Sequence, residues 1–249
     1  MKSISFFFLV VFIFSSLLYA QDSARDIVDK SNQLLRANSS YSEVIMKIVK
    51  PDWSREMHMK VWSIEPDYAL VLVTEPARDK GTVTLKRKNE VWNYIPTVQR
   101  TIKIPPSMML QSWMGSDFTN DDLVRQSSIV QDYNHSIIGE EKYKGYDCYK
   151  IHLDPKPEAG VVWGKIYIWI SKESYLQLKI EYYDEDDYLV KSMTGDKIKE
   201  IGGRTIPSYW EVTPEDKPGQ KTIMEYKDIE FNKKLSTDFF SQQNMKRVR

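Results

Sequence analysis

Three histidines, one cysteine and a short acidic run are the side chains here whose types could do chemistry, and their spacing argues against it. His58, His135 and His152 are scattered over segments that read as strands, with no Gly-x-Ser-x-Gly elbow and no His-Glu-x-x-His run. Cys148 and His152 share a strand face four residues apart. That is roughly 13 Å along a strand, too far for one metal. Asp184-Glu185-Asp186-Asp187 lacks the spaced oxygens and glycine of a calcium loop and reads as a solvated hairpin tip. No catalytic residue, cofactor or metal site is expected. The charge of most interest is Arg100, whose guanidinium suits either a phosphate or an ion pair with Asp117. Asp117, Asp121 and Asp122 are placed to neutralise Arg100 or Arg125, or to cap a helix.

The elements that would position these groups begin after a leader. Met1 to Ala20 has one early Lys2, a nearly unbroken apolar run from Ile4 to Leu18, and Ala20 before polar residues. This is the pattern of a secretory signal peptide cut after Leu18-Tyr19-Ala20; the other reading is an uncleaved membrane anchor. Cys148 is the single cysteine, so no disulfide can form within the chain and none follows the leader for acylation. Thirty-five basic and 35 acidic side chains, less Lys2, leave the mature chain near neutrality, which favours neither nucleic acid nor an anionic membrane. Residues 21–249 contain no repeat or Ser/Gly-rich linker and read as one domain. Seven Trp, 15 Tyr, 9 Phe and 10 Met give large or flexible apolar groups that fill a core or line a variable cavity.

Ser23 with Asp26 three residues on, then Ile27, Val28, Leu34 and Leu35, predicts a capped amphipathic helix of about four turns. After Asn38-Ser39-Ser40 the period changes to two. Val44, Met46 and Ile48 alternate with polar residues, as do Met57, Met59 and Val61, around a turn at Pro51-Asp52. Further strands are expected at 67–74, 82–86, 128–138, 146–153, 161–170, 175–183, 188–193, 197–201, 208–213 and 222–231. About ten strands with one early helix suggest a strongly curved antiparallel sheet wrapped around helices.

Residues 91–123 organise the rest. Strands at 90–95 and 100–104 form a hairpin, Pro105-Pro106 stops it, and Met108, Met109, Leu110, Trp113 and Met114 crowd a short helical segment that Gly115 ends. Thr119, three residues before Asp122, starts a second short helix.

These residues resemble the periplasmic lipoprotein carriers of the LolA type and the wider outer membrane lipoprotein-sorting family. The likeness rests on the leader, the helix before the first strand, Trp62 with Pro66, and above all Trp92-x-Tyr94-x-Pro96 with Val98 beyond. Arg100 and Gly115-Ser116-Asp117-Phe118 with Asp121, Asp122 and Leu123 look more like the sorting-protein branch found beside lipid-exporting pumps. The resemblance implies a mainly β fold with helices, an incomplete, strongly curved antiparallel β-barrel closed by the N-terminal helix and a short helical lid. It implies a periplasmic protein that holds lipid or lipoprotein acyl chains in an apolar cavity and moves them towards the outer membrane. An inner-membrane lipid-exporting transporter and an outer-membrane acceptor are its expected partners. The alternative is an envelope sensor or interaction module on the same scaffold. Candidate cavity residues are Met46, Met57, Met59, Leu70, Leu72, Trp92 and Tyr94 on strands, and Met108, Met109, Leu110, Trp113 and Phe118 on the flap, with Arg100 and Asp117 at the rim. The flap helix is expected to act as a lid, or else to plug the barrel permanently.

Overall fold

The structure, a computed structural model, describes residues 22–125 and 128–249. The leader and its cleavage site lie outside the described residues. Helix α1, Ala24–Leu35, opens with a capping box: the Ser23 hydroxyl accepts from the Asp26 N–H, and the Asp26 carboxylate accepts from the Ser23 N–H, both at 3.2 Å. Its other end leaves carbonyls without helical partners. Arg204 donates to those of Gln33, Leu34 and Arg36 at 2.6, 3.0 and 3.1 Å, and its positive charge suits that end of the helix dipole.

The strands are β1 Ser39–Val49, β2 Ser54–Ile64, β3 Tyr68–Glu75, β4 Val83–Arg87, β5 Glu90–Ile95, β6 Arg100–Lys103, β7 Tyr133–Tyr143, β8 Tyr146–Pro155, β9 Lys165–Ser171, β10 Gln177–Tyr183, β11 Leu189–Ile201, β12 Arg204–Pro214 and β13 Lys221–Phe231. All belong to one antiparallel sheet, in the order 6-5-4-3-2-1-13-12-11-10-9-8-7. The first and last strands therefore pair at the centre, and two meanders run outward from them. The edges β6 and β7 are neighbours in sequence but not in the sheet. Residues 104–132 bridge the gap between them, with helix α2 at Asn120–Arg125.

The main core fills the inner face, where Ile27 and Val28 of α1 meet Val44, Met46, Ile48, Met57 and Met59 from one arm and Ile151, Ile166, Ile168 and Ile180 from the other. The strands expected at 188–193 and 197–201 merge into one continuous β11 from Leu189 to Ile201, and 128–132 and 161–164 lie outside the strands predicted for them. Leu176, Leu178 and Ile180 are spaced to share one face of a strand at 175–183, and Leu176 and Leu178 do share an outer cluster. That cluster also holds Cys148 and Trp169, while a bulge between Gln177 and Lys179 sends Ile180 to the inner one.

Candidate functional site

The inner face holds a cavity of about 250 Å³ lined from α1, from β1–β4 and from β9–β13. Much of its wall is apolar, with Val44, Met59, Val61, Ile168, Met193 and Val212 among the lining residues, while Trp113 and Phe118 from the bridging segment also line it. Tyr182 and Tyr226 present phenols that burial pushes up well above their ordinary range. Near the α1–β1 connection the lining turns polar, through Asn32, Arg36, Ser40, Ser63, Glu65 and Lys86. Arg36 Nη1 meets Glu65 Oε1 at 3.1 Å, and both side chains are about a quarter exposed, so this end reaches solvent. Lys86 is almost fully buried, and its ammonium is pushed down to about 8, first by burial and then by Arg36, against the pull of Glu65 and Asp67.

The expected lid helix does not form. A 3-10 turn at Pro106–Met108 is followed by a reversal in which Trp113 donates its N–H to the Phe118 carbonyl at 2.7 Å and Ser116 to that of Trp113 at 3.0 Å. Met114 and Gly115 at its centre have φ of 53° and 80°, the paired left-handed conformation of a tight hairpin turn. Gly115 therefore serves a turn inside the barrel rather than a helix end. Trp113 is buried, and its Nε1 donates to Thr84 Oγ1 at 3.1 Å, which in turn donates to Asn93 Oδ1 at 2.7 Å. Met109 packs against Val91 and Ile104, whereas Met108 and Leu110 are exposed. Helix α2 begins as expected, with reciprocal bonds between Thr119 and Asp122 at 2.7 and 3.1 Å.

Arg100 and Asp117 do not meet. Asp117 sits inside, accepting from Thr222 Oγ1 at 2.7 Å, from Lys50 Nζ at 3.3 Å and from Gln220, and its own N–H donates to Thr222 Oγ1 at 2.9 Å. Arg100 is exposed on the edge strand β6, beside a groove it shares with Gln242, Gln243 and Lys246. Of the strand candidates, Met59 lines the cavity, while Met46 and Met57 are fully buried in the inner core beside it. Leu70, Leu72, Trp92 and Tyr94 point the other way, into an outer cluster closed by Phe240, Met245 and Val248 of the C-terminal segment. The histidines stay apart: His58 lies between Glu56 and Glu75, His135 meets the Ile129 carbonyl at 2.8 Å, and His152 stacks on Tyr167. Burial pushes His135 down and Cys148 up from their ordinary values.

An open, curved antiparallel sheet folded around an apolar cavity defines a half-barrel. Residues 65–247 match the model of a family of uncharacterized proteins, and the chain belongs to that family. Among solved structures it is similar to a DUF1329 family protein from Desulfovibrio piger, with 26% identity over 89% of this chain and 97% of that one and a TM-score of 0.80. It is also similar to a putative outer membrane lipoprotein-sorting protein domain from Vibrio parahaemolyticus (22% identity, 90% and 98% covered, TM-score 0.78). A third similar structure is a LolA superfamily protein from Nitrosomonas europaea (21% identity, 90% and 100% covered, TM-score 0.76). The protein is thus LolA-like in fold along nearly its whole described length. No match was found among curated proteins.

Proposed function

We propose that the protein is a periplasmic carrier, cleaved from a leader at residues 1–20, that takes acyl chains of a lipid or lipoprotein into the half-barrel and moves them towards the outer membrane. The observation that carries this reading is the apolar cavity held open on the inner face of the sheet. Each methylene transferred from water into such a site gains about 0.8 kcal/mol, so an acyl chain crosses water far more readily inside a protein than alone. The free volume lies just below the roughly 300–1,000 Å³ of common small-molecule pockets, which suits one chain before any rearrangement. Donor and acceptor would be an inner-membrane lipid-exporting transporter and an outer-membrane protein. The direct test is native mass spectrometry of protein purified from its own periplasm, with extraction of bound molecules. A lipid of defined mass is expected; protein that arrives empty and fails to take up a fluorescent acyl probe overturns the reading.

A further inference from the structure

We propose that the cavity selects neutral acyl linkages, an ester or amide carbonyl at the end of an alkyl chain, over free fatty-acid anions, and that the phenols of Tyr182 and Tyr226 donate to that carbonyl. This rests on the carrier reading and deepens it by naming the class of guest.

Charge on the cavity wall is already balanced. Arg36, Lys86 and Lys191 are met by Glu65, Asp121 and Asp122. Arg36 pairs with Glu65 at 3.1 Å and Lys191 with Asp122 at 2.6 Å, and Lys86 and Asp121 are engaged as well. A guest carboxylate would therefore lose its water without gaining a cation, which is the costly way to bury a charge. A neutral carbonyl loses far less and needs only a donor.

Two such donors line the cavity unused. Elsewhere in the protein, Tyr41, Tyr175, Tyr183 and Tyr209 give their hydroxyl protons to carboxylates at 2.7, 2.7, 3.0 and 3.2 Å. The hydroxyls of Tyr182 and Tyr226 hydrogen-bond to no group among the described residues, although a buried phenol ordinarily finds a partner. Burial raises both phenols above their ordinary range, so each keeps its proton to donate. The rings themselves are well seated. Tyr182 packs on Trp163 with ring centroids 5.1 Å apart, and Lys191 Nζ lies 5.2 Å from its ring centre. Tyr226 stands opposite Val44 in the β1–β13 pairing, and Tyr182 opposite Ile166 in the β9–β10 pairing. Val44 and Ile166 belong to the apolar wall, so an acyl chain lying there carries the carbonyl at its end alongside a phenol.

The experiment uses delipidated protein and a pyrene-labelled alkane, which has no carbonyl, as the fluorescent reporter. Methyl dodecanoate and dodecanoate displace it at pH 8, below their aggregation limits. The wild type should bind the ester at least about tenfold more tightly than the anion. Tyr182→Phe and Tyr226→Phe combined should weaken the ester about tenfold, as loss of hydrogen bonds to it requires, and leave the reporter's affinity unchanged within about twofold. The urea midpoint of the double variant should not fall, because the hydroxyls hold nothing in the fold, and the single variants show which phenol contributes more. An ester affinity unchanged in the double variant, or dodecanoate bound as tightly as the ester by the wild type, overturns the linkage site and leaves the carrier standing. A lowered midpoint in both single variants assigns the hydroxyls to the fold and also overturns the site. A wild type that binds neither reporter nor ester overturns the carrier and the linkage together.

Discussion

Lys86 holds its charge where the fold leaves little water, and this has a sign that can be measured. Its folded-state value of about 8 lies below the 10.5 of a free lysine, so between these the unfolded chain binds more protons. The resulting destabilisation is fully present below pH 8 and is relieved as pH rises towards 10.5. Denaturation of wild type and Lys86→Met at about pH 7, 9 and 10 should show the variant's advantage shrinking as pH rises. Glu65, Arg36 and Asp67 act on Lys86, and Asp121, Asp122 and Lys191 share its cavity; a pH dependence of stability over this range that persists in Lys86→Met would assign the titration to other groups. Trp113 is the opposite case, an apolar residue expected on a lid helix and found buried in a tight turn at the cavity wall. Trp113→Ala should cost about 3–5 kcal/mol in urea denaturation, since it empties a buried aromatic site. Trp113→Phe, which loses the bond to Thr84 and part of the buried ring, should cost less, about 1–3 kcal/mol. The importance of Lys86 was hidden in its strand: Val83 and Leu85 are the apolar face of β4, and alternation alone turns that face towards the cavity.

At the scale of elements, the α1 capping box, the eleven-residue strands β1 and β2, and the Thr119–Asp122 cap were legible because each is written in neighbouring residues. The bridge from β6 to β7 was legible as an unusual stretch but not as a conformation. Its apolar crowding at 108–114 fits a helix period, and only contacts from Thr84, Arg55, Lys50 and Thr222, distant in sequence, turn it into a hairpin inside the barrel. Asp117 fastens that hairpin to β13 and to the β1–β2 turn. Asp117→Ala would leave Lys50, only 16% exposed in its side chain, without this carboxylate. A loss of about 3–5 kcal/mol is expected, as for breaking a buried ion pair. Hydrogen exchange should locate the loosening at residues 113–118. If these amides stay protected in a folded Asp117→Ala protein, the bridge is held mainly by Trp113 and Phe118.

Across the whole molecule the sheet has two apolar faces with different coverings, and the sequence could not assign them. The β3 strand is apolar on both sides: Val71 and Val73 turn inward to the main core, while Leu70 and Leu72 turn outward beneath Phe240, Met245 and Val248. The covering segment lies some 170 residues further on, so nothing near Leu70 announces which face stays free. This division makes stability and binding separable. Phe240 is fully buried in the outer cluster, against Tyr68 at a ring separation of 5.6 Å, and Phe240→Ala should cost about 3–5 kcal/mol. The protein that remains folded should keep its affinity for an acyl probe, because the cavity lies on the other side of the sheet. Val61→Trp adds bulk to a half-buried cavity wall and should do the reverse, lowering affinity by about tenfold or more with a smaller change in stability. Urea denaturation and probe titration of the two variants decide the matter. A Phe240→Ala protein that folds but no longer binds would mean that the faces are coupled, and that the C-terminal segment shapes the cavity through the sheet.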